Sequence, residues 1–280
     1  FIAPTKKKIL KTRERKEVAP ENNQGMNVVP QILTNDTEQF LDTCNMLIGL
    51  GYHEVNLNLG CPAATVVSKK KGSGFLDDIG RLDQFFETVF EEIAALPEER
   101  KCRVSVKTRI GMEFPEEFED IMEVYNRYPF SEIIIHPRLQ KDYYRNHPNL
   151  DVFGEALKQS AHPVCYNGDI FTKEDYDTFC GRFPTVERVM LGRGVVTNPG
   201  LVREIRTGQT ITTTELKEYH DRLYAGYREA MGSEKDALFK MKEVWSYLGK
   251  MFPESERELK KVRKANRPEE YQEVVRRVFN

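Results

Sequence analysis

From residue 27 to about 205, short apolar runs alternate with longer stretches whose apolar residues recur at helical spacing. That rhythm is produced by repeated β-α units feeding a parallel sheet. The runs are Val28 to Leu33, Val55 to Leu59, Val104 to Lys107, Ile133 to His136, Val164 to Asn167 and Val189 to Gly192. The helical stretches between them are Thr37 to Leu50, Arg81 to Ala95, Pro115 to Tyr128, Val152 to Gln159, Lys173 to Gly181 and Pro199 to Gly208. Asp36-Thr37 and Thr172-Lys173-Glu174 supply capping residues for two of these. From Thr212 onward the strand runs stop, and helical periodicity takes over in Glu215 to Met231, Asp236 to Met251 and Pro268 to Phe279. The pattern predicts an α/β domain over residues 1–208 and an all-helical domain over 212–280. Six strands are counted where a closed (β/α)8 barrel needs eight.

Composition narrows the picture only modestly. With 39% hydrophobic and 31% charged residues, and no apolar run near the roughly 20 residues of a membrane span, a globular protein outside the membrane is expected. No charged-then-apolar leader opens the chain. The five cysteines are an odd number, widely spread, with no CxxC pair and no histidine at metal-ligand spacing. Those features predict a reducing, cytoplasmic location and no metal. A net charge of −2 gives no global attraction for nucleic acid, so such a contact would need local patches. Three basic stretches qualify: Lys6 to Lys16, Lys69-Lys70-Lys71, and the cluster Arg257, Lys260, Lys261, Arg263, Lys264 and Arg267. Charge runs are most often solvated faces.

Candidate chemistry collects at the strand ends. Asn58 and Cys61 end the second run, in Asn58-Leu59-Gly60-Cys61-Pro62, where Gly60 and Pro62 forbid a regular continuation and set a thiol on a tight turn. A free cysteine is most often a small buried hydrophobe, but the other termini are polar too. Gln31 sits in the first run, Lys107 and Arg109 end the third, and His136 and Arg138 the fourth. Asn167-Gly168-Asp169 ends the fifth and Gly192-Arg193-Gly194 the sixth. In parallel barrels function sits at this end, so the coincidence in phase predicts a shared polar mouth. Lys107 and His136 suit an anionic planar cofactor, and Gly192 to Gly194 would let backbone N–H groups approach an anion. HExxH, the Walker phosphate loop, a carboxylate cluster and a serine with a partner base are all absent, which removes metal hydrolysis and serine acyl transfer.

The ordered set resembles the flavin-dependent tRNA-dihydrouridine synthases. It runs from Gln31 in Pro30-Gln31-Ile32-Leu33 through Asn58 to Pro62, Thr65-Val66, Gly72-Ser73-Gly74 and Lys107-Thr108-Arg109, then His136-Pro137-Arg138, Asn167 to Ile170 and Leu191 to Gly194. The resemblance implies a TIM-barrel type α/β fold with a C-terminal helical tRNA-binding domain, and reduction of specific tRNA uridines to 5,6-dihydrouridine. It implies hydride delivery from reduced FMN to C6, a proton from Cys61 to C5, and FMN re-reduced by NADPH. Asn58 would orient the base. Gln31, Lys107, His136, Asn167, Gly168, Asp169, Gly192 and Arg193 would contact the cofactor, and Arg109, Arg138, Lys69, Lys70, Lys71, Lys260, Lys261, Arg263 and Lys264 the substrate or RNA. The resemblance implies tRNA as the partner, and a monomer is expected.

The family's Ala-Pro-Met turn, on a strand before Gln31, has no counterpart here, and Phe1-Ile2-Ala3-Pro4 reads as the tail of a preceding strand. The expected fold is therefore a TIM-barrel type lacking its first one to two β/α units. Two other readings stay open at this point: an FMN-dependent TIM-barrel oxidoreductase acting on a small molecule, and a non-catalytic RNA-binding relative.

Overall fold

The computed structural model describes residues 1–5 and 10–279. In chain order the elements are α1 (Thr12–Val18), β1 (Gln31–Ile32), α2 (Thr37–Gly49), β2 (Glu54–Leu59), α3 (Ala64–Val67), α4 (Ile79–Ala95), β3 (Arg103–Thr108), α5 (Glu117–Asn126), β4 (Ile133–Ile135), α6 (Leu150–Gln159), β5 (Val164–Tyr166), α7 (Lys173–Arg182) and β6 (Arg188–Val189). They continue as α8 (Arg193–Thr197), α9 (Leu201–Thr207), α10 (Thr213–Met231), α11 (Glu234–Leu248), α12 (Glu256–Lys264) and α13 (Pro268–Phe279). The six strands form one parallel sheet in the order β1-β2-β3-β4-β5-β6. Sequential order without a reversal is the singly wound, TIM-barrel type of arrangement, as opposed to the doubly wound one.

Each apolar run contains a strand, with shifted bounds. β1 keeps only Gln31 and Ile32, because Val28 is half-buried, Val29 is exposed, and Pro30 has no N–H for a ladder. β6 starts at Arg188; Met190 N still donates to Tyr166 O at 2.7 Å, after which the chain turns into α8. On the outer side of β1, Ile2 pairs in parallel with Ile32: its N–H donates to Gln31 O and its carbonyl accepts from Leu33 N, both at 2.8 Å.

Register separates the two faces of the sheet. Ile32, Leu57, Val106, Ile133 and Val164 are cross-strand neighbours, and all are buried. With them are buried Phe40 of α2, Phe86 and Val89 of α4, Ile121 and Tyr125 of α5 and Phe153 of α6. The opposite face carries the other parity: Gln31 opposite Asn56, Asn56 opposite Ser105, Asn58 opposite Lys107, and Lys107 opposite Ile134. Here the strands are polar, and the side chains bond one another. Asn56 Nδ2 donates to Ser105 Oγ at 3.0 Å and Gln31 Nε2 to Asn56 Oδ1 at 2.7 Å.

Contacts divide the chain into two compact units, Phe1–Gly168 with Thr185–Met190, and Asp169–Pro184 with Leu191–Asn280. All six strands belong to the first. Helices α7, α8 and α9, which the sequence rhythm assigns to the α/β part, group with the C-terminal helices because α8 packs on α11 and α7 on α9. The second unit has its own core around Leu238, Met241, Trp245, Val262, Tyr271 and Phe279. Trp245 Nε1 donates to the Tyr271 hydroxyl at 2.8 Å, so that hydroxyl gives its own proton to His220 Nε2 at 2.7 Å. Helix α12 shows no clear period in the sequence, since Leu259 and Val262 are its only large apolar residues; both are buried, which is what holds this charged segment helical.

Candidate active site at the strand ends

β2 delivers Cys61 through a turn that Asn58 builds. Asn58 Oδ1 accepts from Gly60 N at 3.1 Å and Cys61 N at 2.9 Å, while its Nδ2 donates to Gln31 Oε1 at 2.7 Å. The amide thus caps the turn from one end and ties it to β1 from the other. Behind the turn, Ser73 donates twice to Cys61 O, from N at 3.1 Å and from Oγ at 2.9 Å. Gly72 adopts φ +57°, and a Cβ there would lie 2.8 Å from Cys61 O, so only glycine lets this loop close on the cysteine. Cys61 is a half-buried free thiol.

Lys107 is the register partner of Asn58 and stands two residues before Arg109. Burial pushes its ammonium down to about 8, with the charge of Arg109 adding to the effect and Cys165 opposing it. His136, 7% exposed, continues the same face from β4, and its N–H donates to Thr108 O at 2.9 Å. Arg138 Nη1 lies 2.9 Å from His136 Nε2. A guanidinium only donates, so Nε2 is the acceptor and the imidazole is in its neutral form with the proton on Nδ1. Asn167 completes this series, donating from Nδ2 to Met190 O at 2.8 Å.

The two arginines sit deeper than a substrate contact requires. Arg109 is fully buried and donates to three carbonyls: Gly60 O at 3.0 Å, Leu139 O at 2.6 Å and Tyr143 O at 2.6 Å. It clamps the Cys61 turn to the loop after β4. Arg138, 2% exposed, donates from Nε to Asn146 O at 2.6 Å. Arg109 acts on loop shape, and Arg138 on loop shape and on His136.

Of the lysines after the turn, Lys69 is exposed, Lys70 pairs with Asp77, and Lys71 is half-buried with its ammonium pushed down by burial. In the second unit, Arg193 is paired with Asp169 at 2.5 Å. Gly194 is needed for packing, since a Cβ there would collide with Ile170 O, whereas Gly192 faces open space. In the first unit a Cβ on Gly168 would collide with the Tyr166 ring. On α12, Lys260 pairs with Glu256 at 2.7 Å; Lys260, Arg263 and Lys264 are exposed and Lys261 half-buried. Of the N-terminal basic stretch, Lys6, Lys7 and Lys8 lie outside the described residues; the remainder includes α1.

Sequence reasoning missed the loop between β4 and α6. Asp142 caps it by accepting from Leu139 N at 2.9 Å and Asn146 Nδ2 at 2.6 Å, and exposed Tyr143 and Tyr144 follow. The signal was there, two adjacent tyrosines in a polar loop, but nothing local tied them to His136. Among the described residues no His/Cys/Asp/Glu group could hold a metal and no helix is long and apolar enough to cross a membrane.

A lysine whose folded pKa lies below its unfolded value binds its proton less readily when folded. From about 8 up to 10.5, the unfolded chain holds more protons, so this group makes stability rise with pH there, and its charge opposes folding fully below that window. Lys107→Met is expected to raise Tm at pH 7, with the gain shrinking toward pH 10.5; a lower Tm at pH 7 would contradict the strained ammonium.

Fold and site define an α/β protein of TIM-barrel type with a cysteine turn in a polar mouth. The family model described as dihydrouridine synthase (Dus) matches residues 3–279, and the chain belongs to that family. It is 27% identical over 259 residues to a tRNA-dihydrouridine(16) synthase of Shewanella oneidensis, covering 90% of this chain and 78% of that one. A tRNA-dihydrouridine(16) synthase of Aquipseudomonas alcaligenes is 26% identical over 230 residues, covering 80% and 71%. Among solved structures, morphinone reductase in complex with tetrahydroNAD aligns with TM-score 0.42 and 16% identity over 63% of this chain and 49% of that chain.

Proposed function

We propose that this chain reduces uridines of tRNA to 5,6-dihydrouridine with a bound flavin, FMN, and NADPH as reductant. The observation that carries the reading is the juxtaposition of the Asn58-capped Cys61 turn with Lys107 on the neighbouring strand. The donor set fits the cofactor: Lys107 has no ion-pair partner among the described residues and lies half-buried at the mouth, a place that favours an anionic ring system. Gln31, Lys107 and His136 would hold the ring. Asn167 and Gly168 would make phosphate contacts implied by the family. When bound, the flavin supplies the hydride for C6 of the uracil, which NADPH replenishes.

The chain's own residues supply the rest. Cys61 Sγ–H gives its proton to C5 and takes one back from solvent, so that the C5=C6 bond gains one hydride and one proton. Asn58 holds that thiol at the mouth through the turn. The target uridine must leave the tRNA stack to reach it. On α12 the solvent side is basic, with Lys260, Lys261, Arg263 and Lys264 against a buried Leu259 and Val262, and it would contact tRNA phosphates. The soluble, cytoplasmic setting of tRNA modification belongs to the same proposal, as does a monomeric state.

The test is dihydrouridine formation in tRNA lacking that base, with flavin absorbance read on the purified protein. Activity is expected in wild type; its absence with flavin bound and reducible by NADPH would favour a small-molecule substrate. Replacing Lys260, Lys261, Arg263 and Lys264 by Ala is expected to flatten the slope of log affinity against log salt by about 0.7–0.9 for each phosphate that the variant no longer neutralises. Unchanged tRNA binding and turnover in that variant would sink the RNA role of α12.

A further inference from the structure

Helices α5 and α6 pack side by side and leave a groove between them with a cavity volume of about 220 Å³. Its apolar lining comes from Phe118 and Met122 of α5 and from Val152 and Ala156 of α6. On each helix the two residues are four apart, so they stand one above the other and form a continuous strip. Small-molecule sites hold roughly 300–1,000 Å³, and a smaller space of this kind admits a few side chains of a partner.

Carboxylates frame the strip: Glu116 and Glu119 on the α5 side, Asp151 and Glu155 on the α6 side. Among the described residues that line it there is no Lys, Arg or His. From Glu113 to Asn126 the chain has six acids and no base, against 42 bases and 44 acids overall. Acids do favour a helix start, but Glu117 already serves that end, accepting from Met112 N and Phe114 N, both at 2.7 Å. Glu116 and Glu119 are exposed and hold no side-chain hydrogen bond or ion pair among the described residues. Glu155 is shared with Lys158 at 2.8 Å, an exposed pair worth little. Beside Pro115 at the rim, Phe114 is 63% exposed and extends the apolar surface.

The charge selects the occupant. Negative potential over the groove repels phosphate and excludes nucleic acid, while small cations would leave the apolar strip uncovered. A helix with Lys or Arg beside an apolar stripe satisfies both parts, in the helix-in-groove mode of recognition. α5 and α6 are 10 residues each, so about three turns of a partner helix span the groove. We propose that the α5–α6 groove docks a basic amphipathic helix of a partner protein, with apolar side chains over Met122 and Val152 and cations on Glu116, Glu119 and Glu155.

The experiment uses the full chain and a fluorescein-labelled peptide of about 15 residues, long enough to form a helix, with Leu at helical spacing and Lys elsewhere. A second peptide carries Glu in place of Lys. Anisotropy is expected to show saturable binding of the Lys peptide alone, weakening as salt is raised. Combining Glu119→Lys with Glu155→Lys should lower its affinity about tenfold, and Glu119→Gln with Glu155→Gln about threefold. Val152→Asp should lower it about tenfold through the apolar strip, which a general attraction to acidic surface would not do. Tm and circular dichroism should match wild type in the two Glu119/Glu155 variants, whose changed side chains are exposed. No saturable binding in wild type, equal binding of the Glu peptide, or unchanged affinity in the charge-reversed and Val152→Asp variants overturns the docking site. Sedimentation showing a dimer in wild type that the charge reversal abolishes would make a second copy the occupant and overturn the partner helix.

Discussion

Cys61→Ala is expected to lower uridine reduction by about 10²- to 10⁴-fold, the usual contribution of a positioned general acid, while flavin stays bound and reducible by NADPH. The substitution removes only the sulfur. The turn is built by backbone N–H groups of Gly60 and Cys61 on Asn58 Oδ1 and by Ser73 on Cys61 O, and all of these bonds survive in alanine. Loss of activity therefore reports the proton and not the loop. Cys61→Ser should lose nearly as much, since a hydroxyl is far less acidic than a thiol. Single-turnover formation of dihydrouridine, followed beside flavin reduction, separates the two half-reactions. Full turnover in Cys61→Ala would remove the thiol from its role.

Arg109→Ala is expected to cost about 3–5 kcal/mol of folding stability, read as the shift of a denaturant midpoint. Three carbonyls, Gly60 O, Leu139 O and Tyr143 O, would lose their donor in a fully buried site, at about 1–3 kcal/mol for each group left unsatisfied and less than additively. Arg109→Lys should rescue little, because an ammonium on a flexible stem cannot serve three divergent acceptors as a planar fork does. Activity should fall in both variants, since the same side chain joins the Cys61 turn to the tyrosine loop. A loss below about 1 kcal/mol would mean that water replaces the guanidinium at these carbonyls.

The contrast between these two residues shows how far one dimension reaches. Cys61 was legible because its setting is local: a strand of alternating residues, then Gly60 and Pro62, then Asn58 three positions back to cap the turn. Lys107 and His136 were legible because strand ends repeat in phase and a parallel register brings like positions together. Arg109 and Arg138 carry the same charge pattern as a substrate-binding pair, and the sequence placed them there; the structure buries both and turns their donors onto protein carbonyls. Asn58 likewise has its carbonyl oxygen and one amide bond committed to the turn and to Gln31.

Periodicity and capping by themselves determined the six strands, most of the helices and the position of the thiol, because those features depend on residues a few places apart. Where they failed, packing was decisive: α12 is helical through two buried residues in a charged segment, and α7 to α9 join the second unit through contacts with α9 and α11. Only the tertiary structure decided which polar side chains are available at the mouth. Availability depends on partners 30 or more residues away, as in the bonds from Arg109 to Leu139 and Tyr143 at separations of 30 and 34, and burial, which converts an apparent ligand into a clamp, has no signature along the chain.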